Sequence, residues 1–131
     1  AASGLQRSGA RVDVIEIDPL VLRFAKEYFG ANPGGDVWNE DALDVMPRLC
    51  MERPAYYDYL LHDVFSEEGL PRALFSLEFF QLVHCVLRPG GVVAVNCFGR
   101  PAGPVVRATM LALAAAGLPQ QRVLGDEHEG A

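Results

Sequence analysis

The stretch VDVIEIDP, residues 12–19, decides the fold of this chain. Its β-branched residues predict a short buried strand over residues 11–17. Asp18 and Pro19 then predict the start of a helix, since an acid often caps a helix and proline suits its first position. Glu16 therefore lies at the carboxyl end of a strand. Ligands bind at that edge of open α/β sheets, where one carboxylate can hold both hydroxyls of a ribose.

The same order of strand, polar tip and helix continues along the chain. Further strands are predicted at residues 36–39, 57–63 and 92–98, with a last short one at 122–124. Helices are predicted from Pro19 to Gly30, from about Ala42, and over 72–87 and 105–116, and a turn over 32–35. This alternation predicts a single α/β domain over residues 1–131, with a doubly wound, mostly parallel sheet of the Rossmann-like kind.

Composition excludes several function classes. The formal net charge is −6, and the 11 lysines and arginines are scattered along the chain, which disfavours a nucleic-acid surface. The acidic balance suits a cationic substrate. No apolar run is long enough to span a bilayer, so we expect a cytoplasmic protein with no membrane partner.

The cysteines and histidines give no metal or disulfide signal. Cys50, Cys85 and Cys97 are odd in number, far apart and free of any C-x-x-C spacing, which predicts neither a disulfide framework nor a zinc site. Cys85 and Cys97 lie in apolar runs and are expected to be buried thiols. We predict no metal.

Motifs at the ends of the predicted strands indicate which family of α/β proteins this chain resembles. The chain contains E-I-D-P at 16–19, N-E-D-A-L at 39–43, Y-D-Y-L-L-H-D at 57–63, G-L-P-R-A-L-F at 69–75 and L-R-P-G-G-V-V-A-V-N at 87–96. Together they resemble the class I S-adenosylmethionine-dependent methyltransferase fold. Within that fold, they are most similar to the spermidine and spermine synthase (polyamine aminopropyltransferase) family. The resemblance runs from about Val12 to Phe98.

The resemblance implies a nucleoside site. Glu16 corresponds to the acid that grips the ribose hydroxyls, although an acid at a sheet edge can also simply face solvent. Asp41 corresponds to the acid that accepts a hydrogen bond from the adenine amino group, with Ala42 beside the ring. Asp41 can equally cap the next helix, and the two roles are compatible. The implied co-substrate is decarboxylated S-adenosylmethionine or S-adenosylmethionine, without a metal.

The resemblance also implies a catalytic acid. Asp63 matches the first acid of the family's D-[ST]-[ST]-D signature, which helps to remove a proton from the attacking amine. The second acid of the signature is replaced by Ser66, which is followed by Glu67. These two residues are the candidate substrate contacts, and a solvated loop is the alternative for the acidic one. Strand alternation sends His62 to the opposite face, where packing is the expected role.

The function implied is transfer of an aminopropyl group to a polyamine, with a small amine as the partner. One alternative is an S-adenosylmethionine-dependent methyltransferase of unknown acceptor. Another is a catalytically silent, truncated homologue, because the family's leading strand and G-x-G-x-G loop are not in the sequence. We therefore expect an incomplete fold, poor stability and weak or no catalysis from this chain alone. The sequence leaves open whether the chain forms a homo-oligomer.

Overall fold

The computed structural model describes residues 9–29, 34–64 and 69–125. The chain divides into two compact units, residues 1–45 and 46–131. The elements follow in the order β1 (Val12–Ile15), α1 (Pro19–Phe29), β2 (Gly34–Trp38), α2 (Ala42–Glu52), β3 (Tyr57–His62), a 3₁₀ turn (Arg72–Phe75), α3 (Leu77–Val86), β4 (Leu87–Val95) and α4 (Pro104–Ala115). This alternation confirms the predicted α/β class. None of the helices in the described ranges is long and apolar enough to cross a membrane.

The first unit contains one pair of parallel strands. Val14 lies opposite Val37 in the register of β1 and β2. The predicted turn over residues 32–35 is wrong for its second half, because Gly34 and Gly35 belong to β2; its first half lies outside the described residues. A Cβ at Gly35 would collide with the Val12 carbonyl group, so glycine permits the close approach of the two strands.

The second unit contains the other parallel pair. In β3 and β4, Leu60 lies opposite Val93 and His62 opposite Val95. The helix α3 packs on β4 and against α4. Its fully buried side chains form the centre of the core: Phe80, Val83 and Val86. Each of the two strand pairs is therefore parallel, and within the described ranges β1 pairs with β2 and β3 pairs with β4.

The helix predicted over residues 72–87 is interrupted. The 3₁₀ turn ends before Ser76, and α3 begins after it. Ser76 Oγ donates to the Ala73 carbonyl oxygen at 2.7 Å and accepts from the Phe79 N–H at 3.2 Å. This serine is an N-cap, and its local hydrogen bonds outweigh the continuous apolar pattern. The strand predicted at 122–124 is also wrong, because those residues form no regular structure.

A disulfide joins Cys50 in α2 to Cys85 in α3. The prediction that the chain contains no disulfide is therefore wrong. The packing of two helices brings the sulfurs together across 35 residues of sequence, and a separation of that kind carries no local spacing signal. Cys97 is a free, half-buried thiol. Cystines are rare in reducing compartments, so the cytoplasmic location stays a prediction.

Candidate functional site

Glu16 directly follows β1. Its backbone N–H donates to the Trp38 carbonyl oxygen at 3.0 Å, which extends the pairing with β2 by one residue. Its Oε1 accepts a hydrogen bond from the Asp18 N–H at 3.1 Å, which fixes the carboxylate close to the strand end. The side chain is half-buried. A carboxylate can accept several hydrogen bonds, so Glu16 keeps capacity for the hydroxyl groups of a ligand.

Asn39 holds the same edge from the neighbouring strand, a role that the sequence analysis missed. Its Nδ2 donates to the Glu16 carbonyl oxygen at 2.7 Å and to the Ile17 carbonyl oxygen at 3.2 Å. These bonds tie the end of β2 to the segment that carries Glu16. The only sequence signal was an amide at a strand tip, in N-E-D-A-L.

Asp41 caps α2. Its Oδ1 accepts from the Leu43 N–H at 2.9 Å, and its carbonyl oxygen accepts from the Asp44 N–H at 2.9 Å. The capping role predicted for Asp41 is therefore present, whereas its contact with adenine stays a prediction. Ala42, the first residue of α2, is half-buried beside it.

These groups define the β1–β2 edge, formed by Glu16, Asp18, Asn39 and Asp41 at the carboxyl ends of β1 and β2. The edge is rich in carboxylate oxygens, which accept hydrogen bonds and do not donate them when ionised. The carboxylate of Asp18 already has a partner within the chain. Its Oδ1 accepts a hydrogen bond from the Leu20 N–H at 2.9 Å and so caps α1. The chemistry of the edge fits a ligand with several hydroxyl or amino donors.

Asp63 directly follows β3, and its side chain is exposed. Asn96, which directly follows β4, donates from Nδ2 to Asp63 Oδ1 at 3.2 Å. The Asn96 N–H also donates to the His62 carbonyl oxygen at 3.0 Å, so the two strands remain paired up to this point. We call this pair of residues the β3–β4 edge. No pattern in the sequence indicated a role for Asn96.

His62 lies on the opposite face of β3, as strand alternation predicts, and it is only 3% exposed. Its Nε2 is 2.6 Å from the Leu74 carbonyl oxygen. The ring meets three phenylalanine rings at centroid distances of 4.7–5.6 Å: Phe75, Phe79 and Phe80. Burial lowers the pKa of His62, an effect that outweighs the opposite influences of the Leu74 carbonyl group and the Asp63 charge. The imidazole is therefore neutral near pH 7.

The remaining candidates are not placed by the structure. Ser66 and Glu67 lie outside the described residues, so their contact with substrate stays a prediction. In the described ranges, no group of three histidine, cysteine or acidic side chains is arranged to hold a metal ion. A cleft of about 440 Å³ lies at the other end of β4, beside His84, Arg88 and Gly117, and it contains neither Asp63 nor Asn96.

Pairs of parallel strands that alternate with helices and are followed by polar residues are typical of the class I methyltransferase-like α/β fold. A model of the spermine/spermidine synthase domain matches residues 7–97, and the chain belongs to that family. A solved structure described as a probable spermidine synthase from Corynebacterium glutamicum superposes with a TM-score of 0.69 at 27% identity. The match covers 87% of this chain and 40% of that one.

Curated relatives carry two kinds of name. Polyamine aminopropyltransferase 2 of Pseudomonas aeruginosa is 45% identical over 96 residues, which cover 66% of this chain and 26% of the relative. The N-terminal histidine N-methyltransferase of Emericella nidulans is 36% identical over 92 residues, which cover 70% of this chain and 16% of the relative. The chain thus spans well under half the length of these relatives.

Proposed function

We propose that this chain is the part of an aminopropyltransferase that binds an adenosyl sulfonium co-substrate and activates the amine acceptor. One observation carries the proposal: in a chain of the spermine/spermidine synthase family, Asp63 stands at the end of β3 with its carboxylate held by Asn96. A carboxylate fixed at the carboxyl end of a parallel strand is well placed to act on a bound ligand. Its exposure leaves it accessible to an amine.

The β1–β2 edge supports binding of the nucleoside. Ribose offers two vicinal hydroxyl donors, and adenine offers an amino donor. Glu16 supplies a half-buried carboxylate whose backbone is fixed by Asn39 and whose Oε1 is oriented by Asp18. Asp41 supplies a second carboxylate at the start of α2. Charge-assisted hydrogen bonds of this kind are stronger than neutral ones, so these acids suit the donors of adenosine.

The transfer step needs a base. The co-substrate supplies an electrophilic carbon next to a positively charged sulfur. An ammonium group has no free electron pair, so the acceptor nitrogen must first lose a proton, and Asp63 takes that proton. The free electron pair of the nitrogen then forms the new C–N bond while the C–S bond breaks. The electron pair of the broken C–S bond stays on sulfur, which leaves as a neutral thioether. The hydrogen bond from Asn96 Nδ2 to Asp63 Oδ1 orients the carboxylate for this step.

Methyl transfer is the second candidate function. Two observations favour it: Ser66 stands where the synthase signature has its second acid, and some relatives are named methyltransferases. The two functions share the nucleoside but differ in the co-substrate. A methyltransferase uses S-adenosylmethionine with its carboxylate, whereas an aminopropyltransferase uses the decarboxylated form. Their relative affinities therefore separate the two functions.

Calorimetry with S-adenosylmethionine, its decarboxylated form and methylthioadenosine tests the proposal. We expect the chain to prefer the decarboxylated form and Glu16→Gln to weaken that binding about tenfold or more, because a charged hydrogen-bond acceptor is lost. Glu52→Gln, an exposed acid at the end of α2, is the matched control. A preference for the carboxylated form would support methyl transfer. Failure to bind any of the three would indicate a silent homologue.

A further inference from the structure

The histidine before Asp63 is an energetically unfavourable residue for a buried, apolar position. His62 is packed among three phenylalanine rings and is almost fully buried. Burial of a polar group is unfavourable unless it is hydrogen-bonded. One ring nitrogen is bonded to Leu74, while Nδ1 has no hydrogen-bond partner within the described part of the chain. Leucine or valine would fill an apolar site without this cost, so packing alone does not account for an imidazole.

The hydrogen bond to Leu74 fixes the form of the ring. A carbonyl oxygen only accepts, so Nε2 must carry the proton and donate. Nδ1 is then the bare nitrogen of a neutral imidazole, and this tautomer follows from the bond partner. The bond joins the last residue of β3 to the 3₁₀ turn, Arg72–Phe75.

We propose that His62 is a positioning residue for Asp63, acting through its Nε2–H bond to the Leu74 carbonyl oxygen. The bond anchors the end of β3 on the face opposite to Asp63. The Asn96 N–H holds the same peptide from β4, at the His62 carbonyl oxygen. The backbone from which Asp63 projects is thus fixed on two sides. The catalytic consequence rests on the proposed function of Asp63, whereas the anchor itself does not.

Two amide variants separate the effect of the hydrogen bond from the effect of the ring. Glutamine places an amide N–H near the position of Nε2, so His62→Gln can still donate to Leu74. Asparagine places its amide nearer to the position of Nδ1, so His62→Asn cannot reach the carbonyl oxygen. Both variants are neutral and polar, and they differ in this bond and in one methylene group. Circular dichroism establishes that each is folded before it is compared.

The first measurement is the nitrogen-15 NMR spectrum of the wild-type imidazole. We expect a neutral Nε2–H tautomer near pH 7, and an Nδ1–H tautomer would overturn the proposal. The second is the carbon-13 signal of the Asp63 carboxyl group. We expect the signal to move in His62→Asn and to return towards its wild-type position in His62→Gln. An unmoved signal in a folded His62→Asn chain would also overturn the proposal, and if that variant does not fold, the wild-type tautomer still decides.

The third measurement is aminopropyl transfer. We expect kcat to fall about 10²-fold in His62→Asn with KM nearly unchanged, because a small displacement of a catalytic group has an effect of that size. His62→Gln should recover most of kcat. An equal loss in both variants would overturn the positioning role. Wild-type transfer that is unchanged in Asp63→Asn would refute the function proposed for Asp63, while the two NMR measurements do not depend on transfer and would still decide whether His62 anchors it.

Discussion

Asn96 Nδ2 donates a hydrogen bond to Asp63 Oδ1 across the ends of two paired parallel strands, at 3.2 Å. Both residues lie one position beyond their strands, and the Asn96 N–H continues the ladder by donating to the His62 carbonyl oxygen. The carboxylate of Asp63 therefore has one oxygen fixed by the protein. The second oxygen can meet a proton of the substrate.

Replacement of Asn96 by alanine should reduce catalysis without abolishing it. Asp63 would keep its charge but lose the donor that orients it, and a hydrogen bond to a charged group corresponds to a loss of about tenfold to a hundredfold in kcat. Steady-state transfer kinetics measure this. Gln81→Ala, which removes an exposed amide from α3, is the control. An unchanged kcat in Asn96→Ala would mean that Asp63 does not depend on this bond.

The two roles of Asp41 can be separated by one substitution. Asparagine caps a helix about as well as aspartate, so Asp41→Asn should leave the free energy of unfolding nearly unchanged. Asp41→Ala should lower it by about 1 kcal/mol, because the bond to the Leu43 N–H is lost. If Asp41 also contacts adenine through its charge, both variants should bind the nucleoside more weakly. Urea unfolding and calorimetry measure the two effects, and full affinity in Asp41→Asn would limit this residue to capping.

The strand ends were predictable, but the bonds between them were not. Apolar runs bounded by acids locate β1 and β3 in the sequence, and with them the positions of Glu16 and Asp63. The partner of Asp63 depends on the register of β3 against β4, which periodicity within one strand does not contain. For this reason the sequence alone indicates no role for Asn96.

Contacts across long sequence separations escaped prediction for a related reason. The bond from His62 to Leu74 requires the 3₁₀ turn, which was hidden inside an apolar pattern typical of one long helix. Ser76 carried the signal, since serine before an apolar helical run is a common cap. The pair Cys50 and Cys85 became neighbours only through helix packing.

Stability should decrease in mild acid through His62. Its pKa in the folded state lies below the ordinary value of about 6.5, because burial disfavours the charged ring. The unfolded chain therefore binds more protons between these two values, and folding stability falls as pH drops below about 6.5 towards the folded pKa. The rings of Phe75, Phe79 and Phe80 around His62 carry no negative charge that could stabilise the protonated imidazole. Asp63 is the neighbouring acid, and its raising effect on the pKa is outweighed by burial.

His62→Gln provides the comparison for this pH dependence. The variant removes the titrating ring and retains a donor for Leu74, so its stability should fall less between pH 7 and 5 than that of the wild type. Urea unfolding at several pH values gives the two curves, and the carboxylates contribute equally to both. Parallel curves would show that the protonation of His62 does not limit stability in this range.

Reduction of the bond between Cys50 and Cys85 should destabilise the second unit. A disulfide restricts the unfolded chain, and closure of a loop across 35 residues is worth about 2–4 kcal/mol in folding free energy. Urea unfolding with and without a reductant measures the difference, and thiol alkylation followed by mass spectrometry counts the free cysteines. Cys97→Ser is the control and should leave the effect of the reductant unchanged, because Cys97 takes no part in the bond. Three alkylated thiols in the unfolded, unreduced chain would show that the bond does not form, whereas one would show that Cys50 and Cys85 are joined.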